Sequence, residues 1–202
     1  MNMKKIADFK NRHEGKRLFI LASGPSLNNL DLSPLERRMV MGLNRSFLIF
    51  PDTYYHCAMD FRLFDEFQTY LKNTRHLFTL EGRPWGTPIK LLGAEGFSWD
   101  LEKGIYSGYT IAYIALQIAV YMGFKEIFYL GLDLKHEKGN THFFGQDYHS
   151  KNHETTEFPK MKKMLAFGAQ ELSNTNVKVF NCSPVSPLEC FSKVSYEYAI
   201  SL

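Results

Sequence analysis

The sequence predicts an α/β fold: a single Rossmann-like domain over residues 1–202, built on a doubly wound, mostly parallel sheet with a small lid-like loop region. Three observations predict it. Short apolar runs of strand type alternate with segments whose apolar residues recur at helical spacing. Several of the strand-like runs are continuously apolar, as expected of strands covered on both faces. A length of 202 residues with 45% hydrophobic content suits one domain with a full core.

The elements follow in order. Residues 1–14 are expected to form an amphipathic first helix with Ile6 and Phe9 on its apolar side. Strands are expected at 18–22, 39–43, 54–59, 76–80, 89–92, 126–130 and 177–180. A helix at 61–73 carries Phe64, Phe67 and Leu71 on one face. A second at 109–122 carries Ile111, Ile114, Ala115, Ile118 and Met122, and a third at 159–172 carries Met161, Met164, Leu165, Gly168 and Leu172. Residues 81–100, rich in Gly, Pro and Trp, form a loop excursion around one short strand. Residues 135–157 are polar and rich in histidine, and a connection of that length reads as a lid or site-building loop. No internal repeat or low-complexity segment is present.

A net charge of +3 is too small to make nucleic acid the main partner, and it suits an anionic small substrate. Cys57, Cys182 and Cys190 are odd in number and form no C-x-x-C, which points away from a disulfide framework and toward a reducing, cytoplasmic setting. The lysine-rich start has no apolar segment behind it, so it is not expected to be a secretory signal. No apolar run reaches the roughly 18 residues of a membrane span. The first helix would allow peripheral contact at the inner face of a membrane, although packing on the body is favoured.

Open α/β sheets bind ligands beyond the carboxyl ends of their strands, so the residues after each strand carry the functional reading. Ser23-Gly24-Pro25-Ser26 follows the first. Its hydroxyls, its glycine and its free N–H groups suit a phosphate, and they suit a tight turn equally well. Neither G-x-x-x-x-G-K-[ST] nor G-x-G-x-x-G occurs there. Asn44-Arg45 follows the second strand; the amide is able to read a base or ribose hydroxyl and the guanidinium to hold an anion, while a plain turn asparagine is favoured in isolation. Asp60 is as much an N-cap as a ligand contact. Ser107-Gly108 precedes the most apolar helix, where Ser107 would cap and the helix dipole would favour an anion. Asp133 is suited to binding a hydroxyl, holding a metal or capping a turn. His136, His142, His149 and His153 match no usual zinc spacing, and a general base is the better use of one of them. Lys160-Met161-Lys162-Lys163-Met164 reads as a solvated helix face, and Asn181-Cys182-Ser183-Pro184 as a turn.

Taken in order, several stretches resemble the bacterial sialyltransferases of glycosyltransferase family 42, and more closely the related MptE-like family, or domain of unknown function 115. They are Gly24-Pro25-Ser26-Leu27, Leu43-Asn44-Arg45, Tyr106-Ser107-Gly108, and Met122-Gly123-Phe124-Lys125-Glu126-Ile127 through Gly131-Leu132-Asp133. The stretches His142-Phe143, Asp147-Tyr148 and Lys178 through Pro184 fit the second family too. The resemblance spans about residues 15–198. It implies a single Rossmann-like domain that transfers sialic acid from its CMP conjugate to a sugar hydroxyl, with inversion and without a metal. Ser23 falls where the sialyltransferases have an asparagine near the cytidine phosphate, and Asn44 on an asparagine that contacts the nucleotide. Ser107 and Gly108 fall on a Ser-Gly pair at the donor, and His149-Ser150-Lys151-Asn152 on a run whose histidine is the general base. Gly104 stands where that family has an arginine, and Lys135 and His136 where two tyrosines hold the leaving phosphate. Tyr148 is the candidate replacement.

The resulting expectation is an inverting glycosyltransferase acting on a CMP-type donor, with sialic acid or a related acidic sugar favoured and a glycan hydroxyl as acceptor. Ser23, Gly24, Pro25, Ser26, Ser107 and Gly108 would hold phosphate; Asn44, Arg45, Asp60 and Asp133 would hold the rest of the nucleotide. His149 would be the base, His142 the second candidate, and Tyr148 the partner of the leaving phosphate. Two alternatives stand beside it. One is a Mg²⁺-dependent pterin diphosphokinase of MptE type, with Asp60 and Asp133 on the metal. The other is a non-catalytic nucleotide- or glycan-binding module. The oligomeric state is left open.

Overall fold

In β1 (Arg17–Leu21), everything after the first residue is buried. Strands of parallel sheets are covered on both faces, and β1 pairs in parallel with a neighbour on each edge. The computed structural model describes residues 4–135, 140–145 and 151–202. Beyond β1, its strands are β2 (Val40–Leu43), β3 (Tyr55–Cys57), β4 (Leu77–Leu80), β5 (Thr87–Ile89), β6 (Leu91–Gly93), β7 (Ile105–Tyr106), β8 (Glu126–Leu130), β9 (Lys178–Asn181) and β10 (Ser192–Lys193). The main sheet runs β10-β9-β8-β1-β2-β3-β4-β5, and β6 and β7 form a second small sheet. Every pairing between these strands is parallel.

The helices are α1 (Phe61–Glu66), α2 (Gln68–Asn73), α3 (Ile111–Tyr121), α4 (Lys151–Leu172) and α5 (Tyr196–Ser201). The period of two along β1 divides the core. Leu18 and Ile20 join Tyr129 and the helix residues Ala115, Ile118 and Leu165 in the larger cluster. Phe19 and Leu21 join Phe128, Leu27 and Leu35 in the other, which α5 closes with Tyr196 and Ala199. α3 is apolar on nearly all sides because α4 and the small sheet cover what the main sheet does not. Tyr129 ties strand to helix by donating its hydroxyl to Ala112 O at 2.7 Å.

Several expectations are corrected. The first segment holds one 3-10 turn, Ile6–Phe9, in place of a helix over 1–14. Phe9 is fully buried against Tyr55, His76 and Phe78. The N–H groups of Asn11, His13 and Gly15 bond the carbonyls of Tyr121, Met122 and Gly123, so the segment satisfies the end of α3 instead of coiling on itself. The helix expected at 61–73 is broken at Phe67, whose ψ of 36° separates α1 from α2. The strand expected at 89–92 divides between the two sheets. α4 begins at Lys151, within the expected loop, and runs through Pro159. Among the described residues no helix is long and apolar enough to cross a membrane.

Two turns at the carboxyl ends set the geometry of everything above the sheet. After β1, Gly24 N donates to Gly131 O at 2.8 Å. Ser26 donates its N–H and its hydroxyl to the two carboxylate oxygens of Asp133, at 2.8 and 2.7 Å. A Cβ on Gly24 would stand 2.4 Å from that carboxylate, so only glycine admits the approach. After β2, Leu43 N donates to Ser46 Oγ at 2.9 Å, and the buried His56 imidazole meets Asn44 O at 2.8 Å. Burial pushes the His56 pKa down from 6.5 to about 4, against the opposing pull of that hydrogen bond.

Asp133→Ala strands the Ser26 N–H and leaves its hydroxyl only Ser183 Oγ at 3.5 Å, an expected loss of about 3 kcal/mol and a Tm lower by roughly 6–12 °C in differential scanning calorimetry. Gly24→Ala shifts Tm in the same direction, and a wild-type Tm in both variants refutes the clamp. The folded-state pKa of His56 lies below its unfolded value, so the unfolded chain takes up the proton first. Its contribution is complete above about pH 6.5 and lost as the pH falls toward about 4. The Tm advantage of wild type over His56→Gln should therefore shrink between about pH 7 and about pH 4.5; a constant difference refutes it.

Candidate functional site

Leaving β1, the chain builds β2 to β5 on one side and later β8 to β10 on the other, so the strand order reverses beside β1. The crevice outside the carboxyl ends at such a point is where open α/β sheets take ligands. A cavity of about 340 Å³ lies there. Its floor is Ala22–Gly24, the end of β2 at Leu43 and Asn44, and the turn Gly131–Leu134. Its walls are Asp60, the start of α3 from Tyr109 to Ala112, Thr141 and His142, and Glu157, Phe158 and Met161 of α4. An annex of about 30 Å³ adds Arg45, Leu63 and Phe144 to Ser23, Asn44, Asp60 and His142.

Backbone strain collects here. Among the described residues, the non-glycine residues with left-handed φ are Asn11, Asn44 (47°), Tyr109 (60°) and Leu134 (48°), and the last three all line this cavity. Such conformations cost on the order of 1–3 kcal/mol each and persist where the surroundings over-determine them, commonly at binding sites.

The charged groups are held. Asp133 is engaged by Ser26. Asp60 caps α1, accepting from Arg62 N at 3.0 Å, and pairs with the Arg62 guanidinium at 2.8 Å. Glu157 pairs with Lys160 at 2.8 Å. Arg45 pairs with Glu66 at 3.0 Å and lies within cation–π range of the Phe67 and Phe144 rings. Thr110 caps α3, its hydroxyl oxygen accepting from Ala112 N at 3.3 Å, so the positive end of the helix dipole opens on the cavity. Asn44 Oδ1 is buried and has no hydrogen-bond partner among the described residues. A buried amide oxygen without a partner is costly, so the position of this side chain is held by its surroundings against that cost. His142 is fixed by its neighbours: Phe143 N donates to Ser23 O at 2.8 Å, Thr141 Oγ1 lies 2.8 Å from Nδ1, and the ring stacks on Phe144.

Of the residues singled out from the sequence, Ser23, Gly24, Asn44, Asp60, Asp133 and His142 line the cavity, and Arg45 lines the annex. Pro25 and Ser26 are buried behind the turn. Ser107 and Gly108 lie outside the lining, with their N–H groups bonded to Gly93 O and Ala94 O. The cap expected at Ser107 is made by Thr110, because the left-handed backbone at Gly108 and Tyr109 delays the helix. His136, Tyr148 and His149 lie outside the described residues. Tyr109, Thr110, Leu134, Phe158 and Met161 were not anticipated; for Thr110 a signal existed, a capping residue type directly before the apolar run. Gly104 has φ 134° and a Cβ there would stand 2.6 Å from Lys90 O, so this backbone has no room for an arginine.

A larger, open concavity of about 910 Å³ lies between residues 51–53 and α1 and α2, before the start of β3. None of the strained residues borders it.

No family model matches the chain. No curated protein matches it in sequence. Its fold is similar to that of the sialyltransferase CstII from Campylobacter jejuni, solved in complex with the substrate analogue cytidine-5'-monophosphate; the TM-score is 0.54, with 16% identity over 90% of this chain and 86% of that one. A second structure of the same enzyme, in complex with CMP-3FNeuAc, matches with a TM-score of 0.50 and 16% identity over 89% and 86% of the two chains. At that identity the likeness establishes a shared fold, a parallel central sheet with flanking helices.

Proposed function

We propose that this chain transfers a sugar from a nucleotide-activated donor to a glycan hydroxyl, with a CMP-linked acidic sugar as the donor. One observation carries the reading: the strained, partly polar cavity lies at the strand-order reversal of a fold shared with an enzyme solved with CMP and a CMP-sugar. The start of α3 at Thr110–Ala112 offers the positive end of its dipole to the donor phosphate, and the turn at Ser23 and Gly24 offers the Ser23 hydroxyl and a close approach to the backbone. Asn44 lines the cavity, and its amide side chain is of the type that reads a base or ribose. Apolar surface from Tyr109, Phe158 and Met161 excludes water.

In the reaction, a histidine accepts the proton of the acceptor hydroxyl as its oxygen attacks the anomeric carbon. The bond from that carbon to the phosphate oxygen breaks, and CMP leaves with the electron pair, steadied by the α3 dipole and by Tyr148. His149 is assigned the base role by its resemblance; His142, already at the cavity wall, is the second candidate. No metal takes part in this scheme. A Mg²⁺-dependent diphosphokinase would first have to free Asp60 from Arg62 and Asp133 from Ser26.

In a thermal-shift panel of CMP, CDP, UDP, GDP and ATP, CMP should raise Tm by roughly 5–10 °C at about 100 times its Kd, with or without EDTA. Stabilisation by ATP alone, and only with Mg²⁺, would replace this reading with the diphosphokinase; saturable binding without transfer to any acceptor would leave a binding module. His149→Ala should keep the CMP shift and lose about 10²–10⁴ of the transfer rate. Unchanged turnover moves the base to His142, for which His142→Ala is the matching test.

A further inference from the structure

We propose that His56 is a positioning residue for this cavity: by bonding Asn44 O it holds Asn44 in the left-handed backbone conformation that keeps its amide in the cavity wall. The inference rests on the reading that the cavity binds a nucleotide. His56 stands on β3, one strand removed from the turn it serves, and is fully buried. Its Nε2 lies 2.8 Å from Asn44 O, and a carbonyl only accepts, so Nε2 carries the proton. Burial keeps the ring neutral, leaving Nδ1 as an acceptor facing Thr53 Oγ1 at 3.4 Å. The imidazole fits because position 42 is glycine; a Cβ there would stand 2.6 Å from Nδ1.

Asn44 needs such a restraint. Its φ of 47° lies in the left-handed region, which asparagine tolerates better than most residues but which still costs free energy, and its amide oxygen is buried without a partner among the described residues. Both costs favour relaxation of the turn, which would carry the amide away from the wall. The bond from Leu43 N to Ser46 Oγ fixes the turn on one side of Asn44, and His56 fixes the carbonyl on the other. A ligand that seats against Asn44 would find the turn already placed, so affinity would not be spent on ordering it.

The test exploits the different reach of two amide side chains. The glutamine of His56→Gln carries its N–H₂ near the position of the imidazole Nε2, and the shorter asparagine of His56→Asn does not reach it. His56→Gln should therefore bind CMP within about threefold of wild type, while His56→Asn should weaken it about tenfold, as expected for one hydrogen bond of about 1.4 kcal/mol. His56→Leu takes the place of His56→Asn where the latter does not fold. In an Asn44→Ala background the same substitutions should cost nothing further, because the group they position is gone. Equal affinities across the series, or additive losses, overturn the inference, since general destabilisation would add. Crystal structures of the ligand-free variants provide a readout without nucleotide. Asn44 should leave its left-handed conformation in His56→Asn and keep it in His56→Gln; an unchanged Asn44 in both overturns the inference. A wild type that binds none of the nucleotides overturns the proposed function instead.

Discussion

The carboxylate of Asp133 holds the crest of the sheet together. A buried carboxylate is tolerable only when its oxygens are satisfied, and Ser26 supplies both donors from across the crevice. The bonds join the turn after β1 to the turn after β8, the two strands between which the order of the sheet reverses. They form only because Gly24 lets the backbone pass within contact of the carboxylate. The rest of the site is built on that junction. Ser23 presents its carbonyl to Phe143 N, which brings His142 to the wall, and Gly131 receives Gly24 N beneath it.

Around this junction the site combines rigidity with a few open polar groups. α3 is buried along most of its length, so the helix start that faces the cavity cannot drift. The carboxylates of Asp60, Asp133 and Glu157 are each occupied by a neighbouring donor. What remains at the cavity is the dipole of α3 and the side chains of Asn44 and Ser23.

The alternation of strand and helix was legible because buried parallel strands leave continuous apolar runs, as at 126–130, where the observed β8 has the expected bounds. The break at Phe67, the two-residue strands β7 and β10 and the early start of α4 were not, because each depends on distant partners and leaves no period in the chain. For the site, the Gly, Ser, Asn and Asp after β1, β2, β3 and β8 were legible as types suited to strand ends, and Ser23, Gly24, Asn44, Asp60 and Asp133 are indeed brought together. Their division of labour was not. Asp133 spends its oxygens on Ser26, and Thr110 takes the cap expected at Ser107.

By itself, then, the sequence determined the class of fold and the strand ends at which chemistry is to be sought, since both follow from local pattern: burial on two faces and residues able to turn a chain. Only the tertiary structure decided which of those residues face one cavity and which serve as scaffold. That choice depends on the packing of His56 beneath Asn44, on the fit of Gly24 against Asp133 and on the left-handed backbone at Tyr109. Each is a contact or a strain between segments far apart in the chain, and such terms have no local signature.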